Sequence, residues 1–370
     1  MKNLGRIMLA STAMALCGTG AAHALDVVAS IKPVHSLVAG VMEGVGEPGL
    51  LVRGAGSPHS YSLRPSEAAM LEGADVVFWV GPDLEMFLSG ALDTLASDST
   101  VVKLSEADGL TRLEYREGGP FEGHAHDHDE GHGHDDHADD DHGHSHEEAG
   151  HSHDDHGHSH EEHGHDKQGH DAGHDQEEHA EDDHAHNDHD PGHADQGAYD
   201  MHMWLDPENA RVFVGEIEAA LVAADPYNAG IYAENAEALR GRLDELSAEV
   251  DAALADVRGR GFVVFHDAYQ YFENRFDVTA TGSITVSPEV MPGAARIDEI
   301  RTRVRDLDVT CVFAEPQFEP RLVQVVTEGT PARAGVLDPL GADLEDGPEL
   351  YFELIRNMTA SLTECLGGEG

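Results

Sequence analysis

Basic residues are scarce in this chain. It carries 22 Lys and Arg against 72 Asp and Glu, a formal charge of -50 over 370 residues. Such a surface repels polyanions, which argues against nucleic acid and anionic membrane faces as partners. Cysteine is scarcer still, with three residues, Cys17, Cys311 and Cys365. Beyond the N-terminus no run of 18 or more apolar residues occurs, so no later segment reads as a membrane span. Aromatic residues make up 6% of the chain, yet the hydrophobic share is 40%, enough for a real core in one large or two ordinary domains.

Histidine is abundant, but in one place. Of 28 His, 23 lie between Glu122 and Ala198, together with 26 Asp or Glu, one basic residue (Lys167) and almost no Val, Ile, Leu or Phe. About half of the net charge sits there. Such a segment buries too little apolar surface to offset its ordering entropy, so it reads as a disordered insert.

The first 24 residues have Lys2 and Arg6, an apolar stretch and then Ala22-His23-Ala24. This is the pattern of a secretory signal, with maturation near Leu25. A lipoprotein reading through Cys17 fits less well, because Leu16 stands where a small residue is expected. An exported, soluble, periplasmic chain is the expectation. Cys311 and Cys365 then remain, and an even pair in an oxidising compartment suggests one disulfide, two separate thiols being the alternative.

Short, β-branched, nearly continuous apolar runs start at Asp26, Ala74, Val101, Gly261, Val309 and Ala334. Continuous rather than alternating runs favour parallel strands covered on both faces. Helix-like segments lie between them on each side of the insert, which predicts an α/β architecture with two lobes. From Asp225 to Gly261, Ile231, Leu239, Leu243, Leu246, Val250, Leu254 and Val257 recur at helical spacing. With Asp225 as N-cap and Pro226 at the first helical position, about 33 residues at 1.5 Å each predict a rod of roughly 50 Å, long enough to span both lobes. A break near Gly241 would give two shorter helices instead. The expected division is a signal over 1–24, a first lobe over 25–224 containing the insert at 122–198, a linking helix over 225–260 and a second lobe over 261–370.

Outside the signal and the insert only His35, His59, His202 and His266 remain. His59 follows a strand in a Gly/Ser/Pro loop, His202 stands where the insert ends, and His266 closes the "GFVVFH" strand. Asp338 closes the last strand. Ligands of open α/β sheets bind beyond the carboxyl ends of the strands, so these four residues form a candidate metal site between the lobes. His35, on the first turn of a helix, reads as structural. Each of the others alone also has a plain reading: a surface or core His, or a turn Asp before Pro339. Three imidazoles and a carboxylate suit zinc, whereas manganese favours more oxygen.

The stretches "VVASIKPVHSLVAGVMEGVG", "HSYSLRPS", "DMHMWLDPENA", "VFHDAYQYFE", "CVFAEPQF" and "GVLDPLG" together resemble the periplasmic solute-binding proteins of zinc ABC importers, the ZnuA-like group, over essentially the whole mature chain. The resemblance implies two (β/α)4-type lobes with parallel sheets joined by one long rigid helix, metal ligands at His59, His202 and His266 with Asp338 as a fourth or alternate ligand, and a disulfide between Cys311 and Cys365. Zinc members often carry an acidic residue before the first His, where this chain has Pro58. Manganese relatives usually have Glu where His266 stands, which points to zinc. Glu289 and Glu315 are candidates to hold the outer nitrogens of the ligand imidazoles.

The implied function is capture of Zn2+ as a transported ligand and its delivery to an ABC-type membrane permease by a monomer, without catalysis. A zinc hydrolase would need an open water position and a base. Asp267 could be offered as that base, but no HExxH or nucleophile motif accompanies it. A metal store or adhesin run by the insert is the other reading. The insert imidazoles, His142, His144, His146, His151, His153, His156, His158 and His160 among them, are neutral near pH 7 and suited to weak, multiple zinc binding. The expectation is an auxiliary collector, buffer or sensor beside one tight site.

Overall fold

The computed structural model describes residues 25–116, 121, 199–285, 292–306, 309–318 and 321–368. The expected signal peptide, the insert histidines and Glu289 lie outside the described residues.

The first lobe alternates β1 (Val27–Ala29), α1 (Lys32–Val41), β2 (Gly49–Leu50), α2 (Pro65–Glu72), β3 (Val76–Trp79), α3 (Met86–Leu95) and β4 (Thr100–Lys103). Two helices follow, α4 (Pro207–Ala224) and α5 (Ala229–Leu254). The second lobe runs β5 (Phe262–His266), α6 (Gln270–Phe276), β6 (Ala280–Thr285), α7 (Ala294–Asp306), β7 (Cys311–Ala314), α8 (Arg321–Thr327), β8 (Arg333–Val336) and α9 (Leu350–Gly367). Each lobe holds a four-stranded, all-parallel sheet, ordered β2-β1-β3-β4 and β6-β5-β7-β8. All six apolar runs became strands. The two strands that apolar content did not announce, β2 and β6, are both edge strands. One is two residues long, and the other reads "ATGSIT", too polar and Gly-containing to stand out.

The long helix is a single element and Gly241 lies within it unbroken. It starts at Ala229, four residues later than expected. Asp225 does not cap it: the carboxylate accepts from Asn228 Nδ2 at 2.7 Å and from the Tyr232 hydroxyl at 3.1 Å in the turn that ends α4. At 26 residues α5 spans about 39 Å. Its buried stripe, Tyr232, Ala236, Leu239, Leu243, Leu246, Val250 and Leu254, recurs every three or four residues. Removing each large aliphatic side chain from water contributes about 1.5–3 kcal/mol. A Cβ on Gly40 of α1 would stand 3.1 Å from Leu239 Cδ2, so glycine there lets α1 and α5 approach closely. The apolar core is continuous from α1 and α4 through α5 to Phe262 and Phe313 of the second sheet and to α9.

The Cys311–Cys365 disulfide is present, with Cα atoms 6.1 Å apart. It ties β7 to α9, a helix of 18 residues. No helix among the described residues is long and apolar enough to cross a membrane.

Candidate metal centre

The three scarce imidazoles arrive by three routes. His59 lies on the loop between β2 and α2. The end of that loop is held by Glu67, whose carboxylate accepts from the Arg64 N–H and the Tyr61 hydroxyl, both at 2.8 Å. His202 begins a 3-10 turn, Met203–Leu205, just before α4. Asp206 caps α4 by accepting from Glu208 N–H, Pro207 occupies the first helical position, and Arg275 of α6 forks onto the same carboxylate at 2.7 and 2.8 Å. His266 is the last residue of β5. Two of the candidate ligands thus come from the first lobe and one from the second; only His266 closes a strand, while His59 sits on a loop and His202 at the head of a 3-10 turn.

The three Nε2 atoms converge. His202 Nε2 is 3.3 Å from His59 Nε2 and 3.3 Å from His266 Nε2, and one ligand atom from each ring falls within 4.8 Å of the others. His202 and His266 are buried and His59 is half-buried. The outer nitrogens decide the tautomers. His202 Nδ1 is 2.7 Å from Asp200 Oδ1, and His266 Nδ1 is 2.7 Å from Glu315 Oε1. Each carboxylate also accepts the backbone N–H of the histidine it holds, at 2.9 Å for Asp200 and 3.2 Å for Glu315. The carboxylates accept, so Nδ1 carries the proton and Nε2 presents a lone pair in the neutral rings. Lone pairs facing one another at 3.3 Å repel unless a proton or a cation lies between them.

Burial, with the neighbouring His202 and His266, pushes the His59 pKa well below the ordinary imidazole value. Burial also pulls on His266, but Glu315, with Asp267 and Asp200 behind it, overcomes that pull and raises it. A small cavity of about 10 Å³ lies here, walled by Trp204, Phe318, Pro339 and Leu340. That space holds an ion or one water, not an organic substrate.

Asp338 is not among the three convergent groups. Its Oδ1 accepts from Gln317 Nε2 at 2.9 Å and from Leu340 and Gly341 N–H at 3.0 Å, while Oδ2 accepts from Ala342 N–H at 2.6 Å. It holds the turn after β8. Glu315 bonds an outer imidazole nitrogen, as a residue of that kind was expected to. Asp200 does the same and was overlooked, although an acid two residues before His202 was the available signal. Asp267 is engaged by Arg116 through Nε at 3.0 Å, so it is no free base. His35 is buried with Nε2 3.0 Å from Pro48 O, in keeping with a structural role.

The model of the family described as zinc-uptake complex component A, periplasmic (ZnuA), matches residues 27–365. The high-affinity zinc uptake system protein ZnuA of Brucella abortus (strain 2308) is 51% identical over 368 residues, 99% of each chain. The protein of the same name from Paracoccus denitrificans (strain Pd 1222) is 36% identical over 93% of this chain and 92% of its own. A solved crystal structure of ZnuA superposes with a TM-score of 0.66 at 19% identity, over 93% of this chain and all of the other, and shares the fold.

Proposed function

This chain belongs to the ZnuA family of periplasmic zinc-uptake components, and from that premise we propose that it captures one Zn2+ on His59, His202 and His266 and delivers it to an ABC-type membrane permease. The observation that carries the proposal is the set of convergent Nε2 lone pairs. Zinc–imidazole bonds of about 2.0–2.1 Å in a tetrahedral shell put neighbouring nitrogens about 3.3–3.4 Å apart. The two close pairs measure 3.3 Å. Asp200 and Glu315 fix two of the rings for that geometry and offset part of the incoming charge.

The fourth position falls to solvent in this reading. Asp338 could reach the ion only by giving up N–H donors that hold its turn. Gln317 turns its Nε2 toward Asp338, which leaves its Oε1, a buried acceptor without a partner among the described residues, for a zinc-bound water. The imidazoles of residues 122–198 act as an auxiliary collector of low affinity. The N-terminal segment directs export, and the protein works as a periplasmic monomer.

Competition titration of zinc against a chelator tests the reading. The full chain is expected to show one tight site plus weaker ones. His202→Ala removes the tight site, whereas excision of residues 122–198 lowers stoichiometry and leaves it. Loss of the tightest site on that excision would return the function to the insert.

A further inference from the structure

The passage that leads into residues 122–198 and the passage that leads out of them meet before they part. Glu114 pairs antiparallel with Tyr199, and Asp200 N–H donates to Leu113 O at 2.9 Å. One such bridge is marginal by itself. What fastens it is α6 of the second lobe. The Tyr271 hydroxyl accepts from Leu113 N–H at 3.1 Å and donates to Asp200 O at 2.7 Å. Gln270 Nε2 donates to Glu114 O at 3.0 Å and stands 3.4 Å from Asp200 Oδ2. Two residues on, Arg116 is forked onto Glu273 at 2.7 and 2.9 Å, bonds Asp267 as well, and lies over the Phe121 ring at 4.1 Å.

Asp200 is where this strap meets the metal centre. It is fully buried, and an unpaired buried carboxylate is costly. Its Oδ1 takes both the backbone N–H and the Nδ1–H of His202. We infer that Tyr271 and Gln270 are positioning residues for zinc capture: by holding the paired passages around Leu113–Arg116 and Tyr199–Asp200 they set Asp200, and through it the His202 imidazole. The second lobe thereby places a ligand that belongs by sequence to the first. The same lobe carries His266, four residues before α6, so His202 and His266 are held as one unit while His59 approaches from a separate loop. The inference rests on the zinc-binding reading above.

A double-mutant cycle on the full chain, read as the affinity of the tight zinc site by chelator competition, tests it. Outer-shell partners of metal-bound imidazoles are worth about 10–100-fold in affinity, so Asp200→Asn should weaken the site by about tenfold or more. Tyr271, one step further out, should cost about three- to tenfold as Tyr271→Phe, with Gln270→Ala as a second probe should Tyr271→Phe fold poorly. Because Tyr271 acts through Asp200, the double variant should bind no more weakly than Asp200→Asn alone. Losses that multiply, or a Tyr271→Phe protein with a lowered melting temperature and unaltered affinity, would assign these bonds to stability alone. His202→Ala separates the two levels: if it leaves the tight site intact, the zinc reading itself fails, and if it abolishes the site while the cycle is multiplicative, only this inference does.

Discussion

At the residue scale the proposed metal centre is a problem of protons. An imidazole ligates only when its lone pair is free. His59, desolvated among other rings, stays neutral well below the ordinary pH range for histidine. His266 does the opposite, because Glu315 outweighs burial and stabilises its charged form. A raised folded pKa means that protons compete with zinc from a higher pH. The acid limb of the zinc-affinity profile should therefore begin above the ordinary imidazole pKa of about 6.5. Glu315→Gln should move that limb to lower pH while weakening the plateau, because the ring loses the carboxylate that orients it. Chelator competition from pH 5 to 8 reads both, and a limb that stays in place would show that another ring controls release. Setting the signal and the insert aside leaves four histidines, His35 among them, and it is the resemblance that singles out His59, His202 and His266. Their partners were not equally legible. Glu315 was nameable from its motif, whereas Asp200 reads as the last acid of a long acidic run; its place two residues before His202 was the one signal in the sequence, and burial and its bond to His202 set it apart in the structure. Asp338 fell where a ligand should, after a strand, yet backbone N–H groups claimed its oxygens, and sequence does not show which donors a turn will aim at a carboxylate.

At the element scale, the first lobe gathers its strand ends around a buried acid. Glu85, fully buried at the start of α3, accepts from the Val80 N–H at 3.1 Å, the Gly81 N–H at 2.8 Å and the Ser30 hydroxyl after β1. Burial pushes its pKa up to about 7 in spite of those donors. The sign follows from linkage. Between the unfolded carboxyl value and about 7 the folded state binds the extra proton, so this group's contribution to stability is fully present at low pH and is lost as pH rises through 7. Thermal melts of Glu85→Gln should thus show a smaller loss of stability from pH 5 to 8 than the parent chain, and an unchanged pH slope would argue that Glu85 is ionised throughout. The strand runs and helix periodicities were legible because burial on both faces demands unbroken apolar residues. β2 and β6 escaped because one is two residues long and the other, "ATGSIT", is too polar and Gly-containing to form an apolar run. The start of α5 escaped because Asp225 and Pro226 serve equally well to end one helix and to begin another.

At the scale of the whole molecule, the lobes are joined by more than a linker. The core runs through α5 into both, Trp204 donates to Pro339 O at 2.8 Å, and Tyr351 donates to Trp204 O at 2.7 Å. Lys32 of α1 reaches Ala342 O and Leu344 O beyond β8. The disulfide closes a loop of 54 residues over the second lobe. In the chain-entropy account such a loop is worth about 4 kcal/mol, or about 5 °C in melting temperature for a chain of this size. Cys365→Ser should lower the apo melting temperature by about that much and leave zinc affinity at 25 °C within a factor of two, since neither sulfur lines the metal pocket. A large loss of affinity would mean that the bridge holds β7, and Glu315 at its end, in register with β5.

The α/β class, the parallel sheets, the spanning helix and the short list of histidines follow from the amino-acid sequence, because burial and periodicity act locally and leave their mark in composition. The tertiary structure decided which groups meet. One ring nitrogen from each of His59, His202 and His266 comes within 4.8 Å of the others only when two sheets and a common core bring a loop, a 3-10 turn and a strand end together. Which carboxylate holds which imidazole, and which is taken by a turn, depends on distances of a few tenths of an ångström between elements far apart in the chain.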